Sequence, residues 1–180
     1  MGLIIFLLIL ILLMPIGFIW LNYHELTSCK ANAYDELARI NKKIEALIDL
    51  IPDILGLISG KLANANELIA EINMQRNFLI KLPNTFRNAK TRFNYAQILF
   101  ELMKKLITKI ATNPNLQFLP AIQKASKLFD KINNDFENST KNYNETVSKF
   151  YNYTSVFPTS FMAKKLKIVC ILPMFISEKK

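Results

Sequence analysis

Residues 86–110, FRNAKTRFNYAQILFELMKKLITKI, set an apolar side chain at every third or fourth position: Phe86, Ala89, Phe93, Ala96, Phe100, Met103, Ile107 and Ile110. Alternating steps of three and four trace one seam of an α-helix, and their mean of about 3.5 is the coiled-coil spacing of helices packed at shallow angles. The stretch predicts one long helix. Leu82-Pro83-Asn84-Thr85 bounds it on one side, with Asn84 or Thr85 able to cap, and Asn113-Pro114-Asn115 bounds it on the other.

Working outward, the same period returns on both sides. Pro120, well suited to a first helical turn, opens a seam of Ile122, Ala125, Phe129, Ile132, Phe136, Ser139, Tyr143, Val147 and Phe150 that should end before Phe157-Pro158. Upstream, Leu26, Ala33, Leu37, Ile40, Ile44, Leu47 and Ile51 form a stripe, with Asp35, Glu36, Arg39, Lys42 and Lys43 off it. Proline removes a helix donor and restricts the residue before it, so Asp49-Leu50-Ile51-Pro52-Asp53 predicts a kink or turn. A second helix is then expected from Asp53 to Leu82, carrying Ile54, Leu55, Ile58, Leu62, Ile69 and Ile72 and weakened by Gly56 and Gly60. No segment alternates with the period of a strand. Four long helices with short connections predict an all-α, antiparallel up-and-down four-helix bundle.

Before the bundle stands Leu3–Leu21, LIIFLLILILLMPIGFIWL, with no charged side chain. A helix of that length covers about 28 Å, close to the ~30 Å hydrocarbon thickness of a bilayer. Trp20 and Tyr23 fall where it would leave, as interfacial rings do. The expected organisation is therefore a single transmembrane anchor over residues 1–22, continuing without a break into a bundle over 23–160, then a basic and apolar tail over 161–180. The competing reading is a signal peptide whose Leu26-Thr27-Ser28-Cys29 serves as a lipobox for an exported lipoprotein. Against it, no Lys or Arg precedes the apolar run, and a polar quartet, Asn22 to Glu25, separates that run from Cys29.

Lys and Arg number 23 against 14 Asp and Glu, a net charge of +9, and all the basic residues follow the apolar run. With Lys30, Arg39, Lys42 and Lys43 just after it, the positive-inside rule favours a single-pass protein of the cell membrane with its N-terminus out and its bundle cytoplasmic. Basic residues spread over several helices behind an anchor argue against nucleic acid as partner. Two cysteines far apart, Cys29 and Cys170, make no disulfide framework. His24 is the one histidine, which removes the Glu-x-x-His pairs of a di-iron bundle, a zinc site and His-assisted nucleophiles. No metal, cofactor or catalytic residue is expected, and an enzyme is not. Asn-X-Ser/Thr triplets at Asn138, Asn144 and Asn152 fit chance in so Asn-rich a chain.

The residues resemble the LemA family of bacterial membrane proteins. Tyr23-His24-Glu25-Leu26 is similar to the family's Tyr-Asn-x-Leu, and Asp49-Leu50-Ile51-Pro52-Asp53-Ile54 to its Asp-Leu-Ile-Pro-Asn-Leu. Pro114-Asn115-Leu116 resembles its Tyr-Pro-Asp-Leu, Tyr143-Asn144-x-x-Val147-x-x-Phe150 its Tyr-Asn-x-x-Val-x-x-Tyr, and Phe157-Pro158 with Ala163 its Phe-Pro and following Ala. The chain departs at Ile44-Glu45-Ala46, where the family is basic, and at Lys167 to Phe175, where it ends aromatic and acidic. The resemblance implies one anchor and a four-helix bundle, places Cys29 inside the first bundle helix, and brings no enzymatic reaction with it. Tyr143 and Phe150 are expected in the core, with Asn144 beside them able to bond to another helix.

An up-down-up-down trace from the anchor puts the Pro83 connection and the tail near the bilayer, and the Pro52 and Pro114 turns far from it. Lys81, Arg87, Lys90 and Arg92 flank the first of these, and Lys164, Lys165 and Lys167 open the tail. With Trp20 and Tyr23 they form the expected membrane-contact set, facing an anionic lipid surface. Ile168 to Ile176 is too short to span a bilayer; it either docks in the interface, packs on the bundle or adds a strand-like edge. The expected role is a non-enzymatic scaffold or interaction module of the cell envelope, with an unknown protein partner or a homo-oligomer. An exported lipoprotein, or an accessory subunit of a membrane enzyme such as a protease, stands as the alternative.

Overall fold

The computed structural model describes residues 2–62, 65–156, 159–165 and 172–175, with side chains at 2–12, 15, 16 and 162 outside the description. It is all-helical: α1 (Gly2–Ile58), α2 (Asn66–Lys81), a single 3-10 turn (Phe86–Asn88), α3 (Ala89–Ala111), α4 (Pro120–Ser155) and α5 (Thr159–Lys165). No strand occurs among the described residues. The chain divides into two units, Met1–Asp35 with Tyr143–Leu172, and Glu36–Asn142 with Pro173–Lys180; α1 and α4 each contribute to both.

In the second unit four helices close around an aromatic core. Phe93 on α3 stacks on Phe136 of α4 at 5.4 Å, Phe100 stacks on the same ring at 4.4 Å, and Phe100 meets Phe129 at 6.1 Å. Position rises along α3 as it falls along α4, so the two run antiparallel. All four rings are buried, as are Ile40, Ile44, Leu47 and Ile51 on α1 and Ile72 and Leu79 on α2. The expected seams of α1, α3 and α4 face the core nearly residue for residue; Leu99, Leu102 and Leu106 widen the α3 stripe beyond them.

The turn expected at Pro52 lies elsewhere. α1 runs through Pro52 to Ile58 and turns at Gly60, whose φ of +72° is the left-handed conformation that glycine adopts without steric cost. An interior proline costs a helix about 3 kcal/mol, part of it because the carbonyl four residues back loses its donor. Here that carbonyl belongs to Ile48, and the guanidinium of Arg76 on α2 donates to it from Nε at 2.9 Å. Continuing the helix also buries Ile54 and Ile58, each worth roughly 1.5–3 kcal/mol. Burial plus a substitute donor outweighs the proline. As a result the second helix is shorter than expected, starting at Asn66 and not at Asp53.

Pro83 does end α2: Leu82 before it is extended at ψ 113°. Thr85 stands at the cap position of the 3-10 turn but makes no side-chain cap bond, so α3 begins only at Ala89. Asn113 closes the next connection, its side-chain oxygen accepting the Asn115 backbone N–H at 3.0 Å, while Leu116 is fully buried.

At the tail, the described residues fit the packing alternative. Leu172 and Phe175 are both 2% exposed; in the first unit the Leu172 carbonyl accepts the Tyr151 hydroxyl at 3.0 Å, and in the second Phe175 stacks on Phe93 at 4.4 Å. Leu172 and Phe175 thus pack on protein, where a stacked ring adds to the burial of its area. Residues 166–171 and 176–180 lie outside the described residues.

Among the described residues no helix is long and apolar enough to cross a membrane. The side chains on which the expected anchor chiefly rests, at 2–12, 15 and 16, lie outside the described set; the backbone there is helical and continuous with the rest of α1.

Candidate functional site

In the first unit the described side chains of α1 up to Leu21 are apolar and uncovered. Leu13, Met14, Phe18, Ile19, Trp20 and Leu21 are each about half exposed or more, and four consecutive positions of a helix look in all directions. Trp20 leans on His24, ring centres 6.0 Å apart, where the apolar run gives way to polar residues.

The end of α4 reaches α1 at this level. Leu26 and Ala33 are buried, as are Tyr143, Val147 and Phe150 on the α4 seam and Ala163 on α5. One turn beyond Phe150, the Tyr153 hydroxyl donates to Glu25 at 2.9 Å. That bond, followed by the nearby charge of Glu25, pushes the phenol above its ordinary pKa. The last carbonyls of a helix have no internal donor; Thr159 supplies one, its hydroxyl donating to the carbonyls of Tyr153 and Val156. This bond turns the chain into α5, where Phe161, Lys164 and Lys165 are exposed and the Lys165 ammonium stands 5.4 Å over the Phe161 ring.

Between α1 and the end of α4 lies an open groove of about 570 Å³, walled by Phe18 and Asn22 on one side and Lys149, Asn152, Tyr153 and Val156 on the other. Cys29 is half-buried in the middle of α1, its thiol pushed up by burial and then by Glu25, and partly relieved by Lys149. A thiol held protonated inside a helix is a poor nucleophile. Among the described residues no cluster of His, Cys, Asp and Glu could hold a metal ion.

The expected membrane-contact residues divide between the units. Trp20, Tyr23, Lys164 and Lys165 are exposed in the first; Lys81, Arg87 and Lys90 are exposed in the second; Lys167 is outside the described residues. Arg92 is a correction. It is 4% exposed, and its guanidinium donates to the carbonyls of Leu79 (3.2 Å) and Leu82 (2.6 Å) and to the Asn41 side chain (3.2 Å). A cation at the C-terminal end of α2 is placed where the helix dipole favours it, and its burial turns it away from any lipid surface. Burial lowers the Arg92 pKa and Glu45 works against that shift, but a guanidinium stays charged. The contact with Asn41 also sets where the Pro83 connection meets α1.

Of the family-motif residues, Leu26, Leu50, Ile51, Leu116, Tyr143, Val147 and Phe150 are buried, Asn144 is half-buried, and Tyr23, Asp49, Pro52 and Pro114 are exposed; Phe157 and Pro158 lie outside the described residues. The motif is thus mostly packing. The sequence reading missed Lys149, Asn152, Tyr153 and Val156, although the antiparallel trace that brings the end of α4 toward the anchor contained the signal. Elsewhere, Lys43 donates to Asp135 at 2.7 Å, and this bond chiefly holds the Asp135 carboxyl below the usual range. Residues 36–175 match the model of the LemA family. No curated protein matches the chain.

Proposed function

Starting from the chain's membership of the LemA family, we propose that this protein is a single-pass, membrane-anchored helical bundle acting as a non-enzymatic scaffold or interaction module of the cell envelope. The carrying observation is that Leu13, Met14, Phe18, Ile19, Trp20 and Leu21 on α1 are apolar and exposed. A helix apolar all round is stable when something apolar surrounds it, a protein core or a bilayer; the described protein leaves these side chains bare. Eleven further positions N-terminal to Leu13 in the same helix, Gly2 to Leu12, are apolar in sequence, enough to complete a span of about 20 residues. Trp20 and Tyr23 then lie at the interface, with Lys164 and Lys165 of α5 toward anionic headgroups.

Paired carboxylates and cations that serve as struts, such as Lys43 with Asp135 and Lys104 with Glu101 and Glu137, support a structural role. The bundle faces the cytoplasm under the positive-inside rule, and its partner is a second copy or another membrane protein. Alkaline carbonate extraction tests the anchor: the full chain should stay in the membrane pellet, whereas Leu8→Arg with Leu12→Arg should release it, since each arginine opposes insertion by about 2.5–3.5 kcal/mol. Release of the unaltered chain would overturn the reading. Protease access to a C-terminal tag on intact cells then tests the side: protection until lysis is expected, and immediate cleavage reverses the topology.

A further inference from the structure

We propose that the groove between Phe18–Asn22 of α1 and the last turns of α4 holds one anionic phospholipid, its phosphate against Lys149 and an acyl chain along Phe18 and Val156. The inference rests on the anchoring reading and adds to it a defined site with a defined headgroup charge.

The groove is two-sided in chemistry. Phe18 and Val156 are apolar and exposed, the latter at 61%. Lys149, Asn152 and Asn22 are polar and stand on the same walls. Asn22 donates its side-chain N–H to the Phe18 carbonyl at 2.7 Å, which fixes the amide and leaves its oxygen as an acceptor. Lys149 enters no ion pair among the described residues. Glu25, the carboxylate engaged by Tyr153, is not part of the lining. A volume of about 570 Å³ falls in the range of small-ligand sites.

Two features select a bilayer lipid over a soluble phosphate. The apolar wall is continuous with the uncovered side chains Phe18 to Leu21 of α1, so an acyl chain would leave the groove along the same surface that the anchor presents to lipid. Lysine supplies a point charge for phosphate, and Lys164 and Lys165 on α5, in the same unit, add cations that favour an anionic headgroup over a zwitterionic one. The Thr159 hydroxyl bonds to the carbonyls of Tyr153 and Val156 hold the wall that carries Val156.

The full chain, reconstituted in nanodiscs of mixed phosphatidylglycerol and phosphatidylcholine and released into mild detergent, is read by native mass spectrometry for retained lipid. Wild type should keep phosphatidylglycerol in preference to phosphatidylcholine. Lys149→Gln should lower that ratio about fivefold, the factor that one interfacial lysine is worth, and Val156→Asp should reduce retention of both lipids. Both variants alter exposed side chains and should keep the wild-type helical signal and stay in the carbonate pellet. An unchanged ratio in Lys149→Gln with the chain still in the pellet overturns the lipid site and leaves the anchor standing. Displacement of the lipid by inorganic phosphate overturns it too, marking a soluble-anion site. Release of wild type by carbonate defeats the anchor and the lipid site together.

Discussion

The second unit closes its apolar stripes with four helices, whereas the first leaves Leu13, Met14 and Phe18 to Leu21 open. In the second, Phe93, Phe100, Phe129 and Phe136 interlock from α3 and α4, and the stripe of α1 is covered along its length. In the first, the described residues offer α1 the end of α4, α5 and Leu172 to pack on; Leu26 and Ala33 are covered while Phe18 to Leu21 are bare. Neither α2 nor α3 contributes to the first unit. Composition alone does not separate a segment meant for a protein core from one meant for lipid; the number of helices available to cover it does.

The contrast breaks most sharply through ring deletions. Phe136→Ala removes a ring stacked on two others and should cost about 3–5 kcal/mol, whereas Phe161→Ala on exposed α5 should change stability by no more than about 0.5 kcal/mol. Denaturant unfolding of the full chain in detergent, followed by circular dichroism, measures both, and equal costs would abolish the distinction between the units. Next comes Arg92→Met, which leaves the Leu79 and Leu82 carbonyls and the Asn41 side chain without their donor; roughly 1–3 kcal/mol should be lost, with part recovered in Arg92→Lys. A loss near zero would mean that Arg92 is solvated after all.

Arg76→Ala should cost about 1 kcal/mol, and the cost should largely vanish in a Pro52→Ala background, where residue 52 regains the N–H that Ile48 needs. A double-mutant cycle reads this coupling directly; full additivity would show that Arg76 does not substitute for the proline. The smallest effect concerns Lys43→Gln. Asp135, held below the usual carboxylate range by Lys43, contributes stability above its unfolded pKa and loses it as pH falls through the lowered folded value. The variant should raise the Asp135 pKa toward its ordinary value in a carboxyl-carbon NMR titration, and wild type and variant should converge in stability under acid. No change in the titration would remove Lys43 as the cause.

Helicity, the buried stripes of α1, α3 and α4 and the uninterrupted passage from the apolar run into the bundle were legible in residue spacing, because a helix writes its period into the chain one turn at a time. Phe93, Phe100, Phe136, Tyr143 and Phe150 could be assigned to the core without knowing their neighbours. The candidate site was legible only in part: Trp20, Tyr23, Lys164 and Lys165 stood out by type and position, but Lys149 and Val156 acquire meaning only once α4 lies beside Phe18 and Asn22. The tertiary structure alone decided three things. It carried α1 through Pro52, since the donor that replaces the proline's missing N–H comes from Arg76, 28 residues away. It turned Arg92 from a surface cation into the cap of α2, since a basic residue reads the same in sequence whether water or a carbonyl faces it. It folded Phe175 onto Phe93, since an apolar tail is buried wherever a partner ring is within reach, and only the packed bundle supplies one.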